Sequence, residues 1–234
     1  MRSCFIIFMA ILGINNSYAK FISGIGYIGP EEYRVDNEIN PLPFGLSLIP
    51  MIAYRGQRLQ VYGPNISYVL LRGPVSFSLN AKAFGDRYKA RDLSQRDTAV
   101  NAGVSLRLLF LTLKYGADIS KVYNGNTAEV GIGWRFKFGD SWFVIPGLAK
   151  EYLNESYVNY YFGIDADEVG EFSFYEAKTA VNDKLRLGVT YLIDSENSLS
   201  LNYSYRKFDK VVYESPTISK EGYATWSLFW SYSL

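Results

Sequence analysis

The chain has no histidine and a single cysteine, Cys4, among its 234 residues. Those two counts remove most catalytic chemistry. A Ser-His-Asp or Cys-His arrangement needs an imidazole to take the nucleophile's proton, and His-ligated zinc needs the same ring as a ligand. Neither can be built from these residues. Carboxylates remain, as Glu31-Glu32 and as Asp165, Asp167 and Glu168. Both groups lie in loop-like sequence, where solvated surface charge is the expectation and a weak Ca²⁺ site at Asp165, Asp167 and Glu168 the alternative. No catalytic residue, cofactor or resident metal is expected. Gly24, Gly26 and Gly29 fit the G-x-G-x-x-G spacing of a dinucleotide site, but Pro30 follows where that site needs a helix. Glycines on a strand are the expected reading. The formal charge of +1 gives no electrostatic footprint for nucleic acid.

The basic residues have a more informative spacing, because they recur at alternate positions. In residues 128–138, Ala128, Val130, Ile132, Trp134, Phe136 and Phe138 share one face, while Glu129, Gly131, Gly133, Arg135 and Lys137 share the other. Successive side chains of a strand point to opposite faces, so such a segment is apolar on one side and charged on the other. The alternation returns at 75–83, 100–108, 111–119, 185–193, 198–206 and 224–234, with Phe229 the one exception. Its polar face carries Lys82, Arg107, Lys114, Arg135, Lys137, Lys184, Arg186 and Arg206 against Asp118 and Glu129. Enclosed in a lumen, that basic wall would favour anionic solutes if the lumen conducts. Asp165, Asp167, Glu168, Glu171 and Glu176, from one long loop, are enough to neutralise the wall if they fold inward, and a partly plugged lumen is expected.

The element that places these residues is a membrane-spanning strand. Hydrophobic residues make up 48% of the chain and aromatics 17%, yet mean hydropathy is only −0.04. Strands of roughly ten residues, apolar toward lipid and polar toward a lumen, give that combination. The expected fold is all-β, a transmembrane antiparallel β-barrel of twelve strands, with ten as the alternative. Trp142, Phe143, Tyr191, Tyr205, Trp226 and Tyr232 are candidates for its interfacial girdles. Residues 1–19 read as a signal peptide: Arg2, an apolar run over 5–14, then Ser17-Tyr18-Ala19 as the small-x-small cleavage pattern. Cleavage after Ala19 removes Cys4 and leaves residues 20–234 as the barrel. Strands are read at 21–28, 46–54, 58–71 and 74–84, followed by those already named. Closure needs an even number, so a weak extra strand is expected within 31–40, before Pro41-Leu42-Pro43. Connections at 107–110, 139–140 and 194–197 are short, whereas 85–97, 154–182 and 209–222 are long, as periplasmic turns and external loops are.

Tyr157-Val158-Asn159-Tyr160-Tyr161-Phe162-Gly163-Ile164 resembles the Y-x-x-x-Y-F-G-[VI] signature of the MltA-interacting protein/OmpV family of outer-membrane proteins. Gly24 to Tyr27, Pro41-Leu42-Pro43 and Ser215-Pro216 stand in similar order, so the resemblance covers essentially the whole barrel segment. It implies a bacterial outer-membrane barrel that acts as a scaffold between a lytic transglycosylase and a penicillin-binding protein, with outer-membrane lipid around it. It carries no catalytic residues over. A narrow pore for small, anionic solutes and a surface adhesin are the alternatives. The motif residues Tyr157, Tyr160, Tyr161, Phe162 and Gly163 fall in the long loop, where packing onto the barrel rim or into its mouth is expected.

Overall fold

A computed structural model describes residues 19–39 and 48–234. The expected signal peptide lies outside the described residues except for Ala19, and Pro41-Leu42-Pro43 lies outside them too. The strand segments are β1 (Lys20–Pro30), β2 (Leu48–Arg55), β3 (Leu59–Tyr62), β4 (Asn65–Leu71), β5 (Val75–Phe84), β6 (Ala99–Leu108), β7 (Leu111–Asp118), β8 (Asn126–Gly133), β9 (Phe136–Phe138), β10 (Trp142–Leu153), β11 (Ala180–Leu192), β12 (Asn197–Lys207) and β13 (Gly222–Ser233). Two short helices, α1 (Glu155–Phe162) and α2 (Lys210–Tyr213), lie in the connections. Each strand pairs antiparallel with its sequence neighbour, and β1 pairs with β13 from Ile22↔Ser233 to Pro30↔Thr225. The sheet therefore closes on itself. β8 and β9 both pair with β10, as two parts of one wall strand interrupted at Trp134 and Arg135. The result is a closed twelve-stranded antiparallel barrel.

Closure follows from the solvent. Hydrocarbon offers no partner for a free amide or carbonyl, so a sheet in it needs every edge paired. β10, β11, β12 and β13 run for 12, 13, 11 and 12 residues, and about 9–11 tilted residues suffice to span. Leu79, Leu113, Val130, Leu148, Leu185, Leu201 and Leu228 all point outward and stay uncovered by protein. Trp142 lies tilted against Tyr191 at 4.7 Å and Tyr27 stacks on Trp226 at 4.9 Å on that outer face. Phe143 does not join the girdle. It stands opposite Thr190, on the lumen side, and the Arg135 guanidinium lies 3.8 Å from its ring centre.

The extra strand is not where the parity argument put it. Residues 31–39 hold only an isolated bridge, Arg34↔Ile218. Residues 58–71 supply the additional strand instead, as the β3–β4 hairpin. Its turn is Gly63, at φ +53°, followed by Pro64, which has no amide to give to a ladder. Every other short turn (56–58, 72–74, 109–110, 139–141, 193–196) lies at one end of the barrel and the long connections at the other, which by the rule for outer-membrane barrels are the periplasmic and external ends.

Phe229 breaks the alternation for a local reason. It stands opposite Gly26 in the β1–β13 ladder and turns into the lumen, where a Cβ on Gly26 would lie 1.9 Å from its ring. The glycine spacing thus serves a seam that carries an inward aromatic, with no nucleotide loop. Gly26→Val should overpack this seam by about 1–3 kcal/mol, and adding Phe229→Ala should recover most of the loss. Urea midpoints of the folded band, separated from unfolded chain by heat-modifiable gel mobility, measure both.

Candidate functional site

Midway through the lumen, two glutamates gather four cations. Glu129 on β8 accepts from Lys114 on β7 at 2.8 Å, from Lys184 on β11 at 3.1 Å, and from Arg186 on β11 at 2.6 Å. Glu151 on β10 pairs with Lys184, and with Arg206 on β12 at 3.4 Å. Glu151 is 3% exposed and Lys184 8%. Ions this far from water persist only when paired, and removing one partner strands the other. The pairs bridge five consecutive wall strands, β7, β8, β10, β11 and β12, because alternate residues of each present the same face. A cavity of about 260 Å³ lies on the external side of the cluster and one of about 170 Å³ on the periplasmic side, and both border Lys114 and Glu129. A third, of about 410 Å³, occupies the periplasmic mouth.

The external mouth is covered by α1. Asn154 caps the helix, its side-chain oxygen accepting from the Tyr157 amide at 3.2 Å. Tyr157, Val158, Tyr161 and Phe162 are buried on one side of it, the i, i+1, i+4, i+5 spacing of a helical face. They pack with Tyr33, Tyr123, Leu153, Phe208, Val212 and Ile218, drawn from the other loops and strand ends. The Tyr161 hydroxyl donates to the Asp97 carbonyl at 2.8 Å, and the Tyr160 hydroxyl accepts from the Asp97 amide at 2.9 Å. The helix's last carbonyls are taken up as well. Arg34 donates to the Tyr161 oxygen at 2.8 Å and Ser215 to the Phe162 oxygen at 2.6 Å, with the cation at the helix's negative end. Arg34 has no carboxylate partner among the described residues. Its guanidinium lies 4.4 Å from the Phe162 ring centre and 4.6 Å from that of Tyr88, so aromatic faces stand in for a counter-ion.

Five of the residues expected on a basic wall, Lys82, Lys114, Lys184, Arg186 and Arg206, line the lumen around or above the glutamates. Arg107, Arg135 and Lys137 are set apart toward the periplasmic end, where Lys137 pairs with Asp140 at 3.3 Å. Asp118 takes no part in the cluster, since its carboxylate binds the amides of Ser120, Tyr123 and Asn124. Neutralisation by the long loop does not occur. Asp165, Asp167 and Glu176 are exposed, Glu171 pairs with Arg91, and Glu168 is buried against Arg96 at 2.6 Å, contrary to the expectation of surface charge. The missing acid is Glu151, which sequence reasoning passed over. Its signal was parity: it stands opposite Glu129 across β8 and β10. Among the described residues, no group of three or more acidic or thiol side chains is set to hold a metal.

Strand pairing and outward apolar faces define an outer-membrane β-barrel, one with an ion-paired waist and a helical cover. The profile of the family described as MltA-interacting protein MipA matches residues 22–234, and the chain belongs to that family. It is 25% identical over 134 residues to a 24 kDa outer membrane protein of Pasteurella multocida (strain Pm70), covering 56% of this chain and 48% of that relative. It is also 25% identical over 187 residues to a putative outer membrane protein YiaT of Escherichia coli O157:H7, covering 74% and 76%. The chain thus spans about half the length of the first relative and three-quarters of the second. Among solved structures, it overlays on the outer membrane channel DcaP of Acinetobacter baumannii with TM-score 0.38 and 10% identity, over 93% of this chain and 96% of that one. For the outer membrane protein OprD of Pseudomonas aeruginosa the values are 0.34 and 12%, over 92% and 59%. These overlays are loose, and the barrel assignment rests on the strand pairing.

The cover should respond to acid through Glu168. Burial alone would raise its carboxyl, but hydrogen bonds from Arg96 and Ser94 outweigh that and hold it at about 2, against an ordinary 4.5. A depressed carboxyl stabilises above its unfolded value and ceases to as pH falls through the folded one. The loops around 163–168 should therefore hold from neutral pH to about 4.5 and loosen between 4.5 and about 2. Amide exchange across α1 as a function of pH should show that transition in the native protein and its absence in Glu168→Gln.

Proposed function

We propose that this protein is a non-enzymatic structural barrel of the outer membrane, and that its periplasmic face docks an enzyme of murein turnover. The observation that carries the reading is the cover that α1 packs over the external mouth, together with the Glu129 and Glu151 ion pairs that tie five adjacent strands of the lumen wall. A barrel built to pass solutes freely has little use for either. Absent histidine supports the non-enzymatic part, as does the pairing of both lumen carboxylates with cations, which leaves neither free for acid–base work. The family's description as MltA-interacting supports a lytic transglycosylase as the partner. The penicillin-binding protein suggested by the family resemblance would be a second contact. Either enzyme would meet the chain at the short turns, 56–58, 72–74, 109–110, 139–141 and 193–196, and around the periplasmic mouth.

The runner-up is a narrow anion pore, favoured by the excess of cations over acids on the lumen wall. Two measurements separate the readings. Photo-cross-linkers at Gln57 and Asp140 should capture a murein hydrolase in cells, whereas one at the external residue Val169 should not. Planar bilayers holding the intact protein should stay silent. Glu129→Gln, which leaves the partly exposed Lys114 and Arg186 without their acid, should flicker open and lose about 1–3 kcal/mol of stability. A steady anion-selective current from the unaltered protein, with no hydrolase captured, would transfer the assignment to the pore.

A further inference from the structure

Residues 39–85 contain no aspartate or glutamate, yet they carry Arg55, Arg58, Arg72 and Lys82. Lys82 points into the lumen. The three arginines meet at the periplasmic end, where Arg55 closes β2, Arg58 lies in the β2–β3 turn and Arg72 in the β4–β5 turn. Arg72 ties the two turns together by donating to the Gly56 carbonyl at 3.3 Å and to that of Gln57. Between the turns is an open recess of about 520 Å³ bordered by Arg55, Arg58, Arg72, Val69 and Leu70. The Arg58 guanidinium has no hydrogen bond or ion pair among the described residues.

The acids at this end of the barrel are engaged or out of reach. Asp140 pairs with Lys137, Asp194 accepts from the amides of Glu196 and Asn197, and Glu196 accepts from the Tyr232 hydroxyl. Asp194 and Glu196 border the mouth cavity together with Lys20 and Arg55, but Arg58 and Arg72 do not. Lys20 and Arg55 are directly opposed across the β1–β2 ladder and have those acids in the same cavity, and the Arg55 Nε donates to the Tyr62 hydroxyl at 2.6 Å, so the cation left without a partner among the described residues is Arg58. Beside the recess, Leu70 is 45% exposed and Leu71 52%, at the end of β4 that runs into the β4–β5 turn. Guanidinium groups form forked hydrogen bonds to phosphate oxygens, and exposed leucines suit acyl chains.

We infer that this recess is a headgroup site for a phospholipid of the periplasmic leaflet. Arg58 and Arg72 hold the phosphate, Arg55 flanks it, and the acyl chains lie along Leu70 and Leu71. A basic residue near an anionic membrane surface contributes about 1 kcal/mol, or roughly five-fold in binding. The test is native mass spectrometry of the purified barrel titrated with phosphatidylglycerol, with heat-modifiable gel mobility to confirm that each variant is folded. Arg58→Gln should weaken lipid retention about five-fold and Arg55→Gln/Arg58→Gln further, while Arg107→Gln, an exposed cation elsewhere on the same rim, should leave it unchanged. The inference fails if Arg58→Gln retains the lipid as well as the native protein does. It fails equally if Arg107→Gln weakens retention as much. Displacement of the lipid by inorganic phosphate at matching concentration would overturn it in favour of a free-anion site.

Discussion

In hydrocarbon, a backbone amide or carbonyl without an internal partner is costly enough to forbid an open sheet edge. The β1–β13 ladder meets that constraint, and the rest of the molecule is arranged around it. Once the sheet is closed, strand alternation sorts every side chain to lipid or lumen. The leucines, valines and tryptophans of the outer face are then covered by membrane, with no protein packed against them. The inner face has to accommodate whatever remains, including Phe229, for which Gly26 leaves room across the seam.

What remains is charged, and the lumen handles it by pairing within the wall. Glu129 and Glu151 reach cations on neighbouring strands, so each acid is paired within the wall and the surplus of cations stays on it. The external loops then do other work. Their aromatic residues gather around α1, and their ion pairs, Arg96–Glu168 among them, fasten loop to loop. Arg34 joins the two systems. It is anchored just beyond β1, yet it satisfies the last turn of α1 and lies against aromatic rings. Barrel and cover are in this way one packed body.

Much of this was legible in the residues. Period-two alternation marks β5 to β8 and β11 to β13, because each side of those strands meets a different medium. The parity of the strand count was legible as well, although the location of the extra strand was not. Val61 and Ile66 flank Gly63-Pro64 with strand-like side chains, so a two-residue turn passed for strand interior. α1 was hidden by its composition. Tyr157, Tyr160, Tyr161 and Phe162 favour strands, and only burial in the mouth selects the helix. Glu151 was obscured by its neighbours Lys150 and Tyr152, in a segment where Pro146 and Gly147 blur the alternation. Glu168 was misassigned to the surface because sequence shows that charge is present without showing that Arg96 is within reach.

The seam between β1 and β13 also has a consequence in time. Every other ladder joins wall strands adjacent along the chain, the β3–β4 hairpin most locally of all, and a tight hairpin forms in about 1–10 μs. The seam joins the two ends of the barrel sequence, so it carries the largest loop-closure entropy and the greatest contact order in the molecule. On loop-closure grounds it is the ladder expected to form last. Until it does, two strand edges stay open to their surroundings, and the cost of exposing them to hydrocarbon favours closing the ring together with crossing the bilayer.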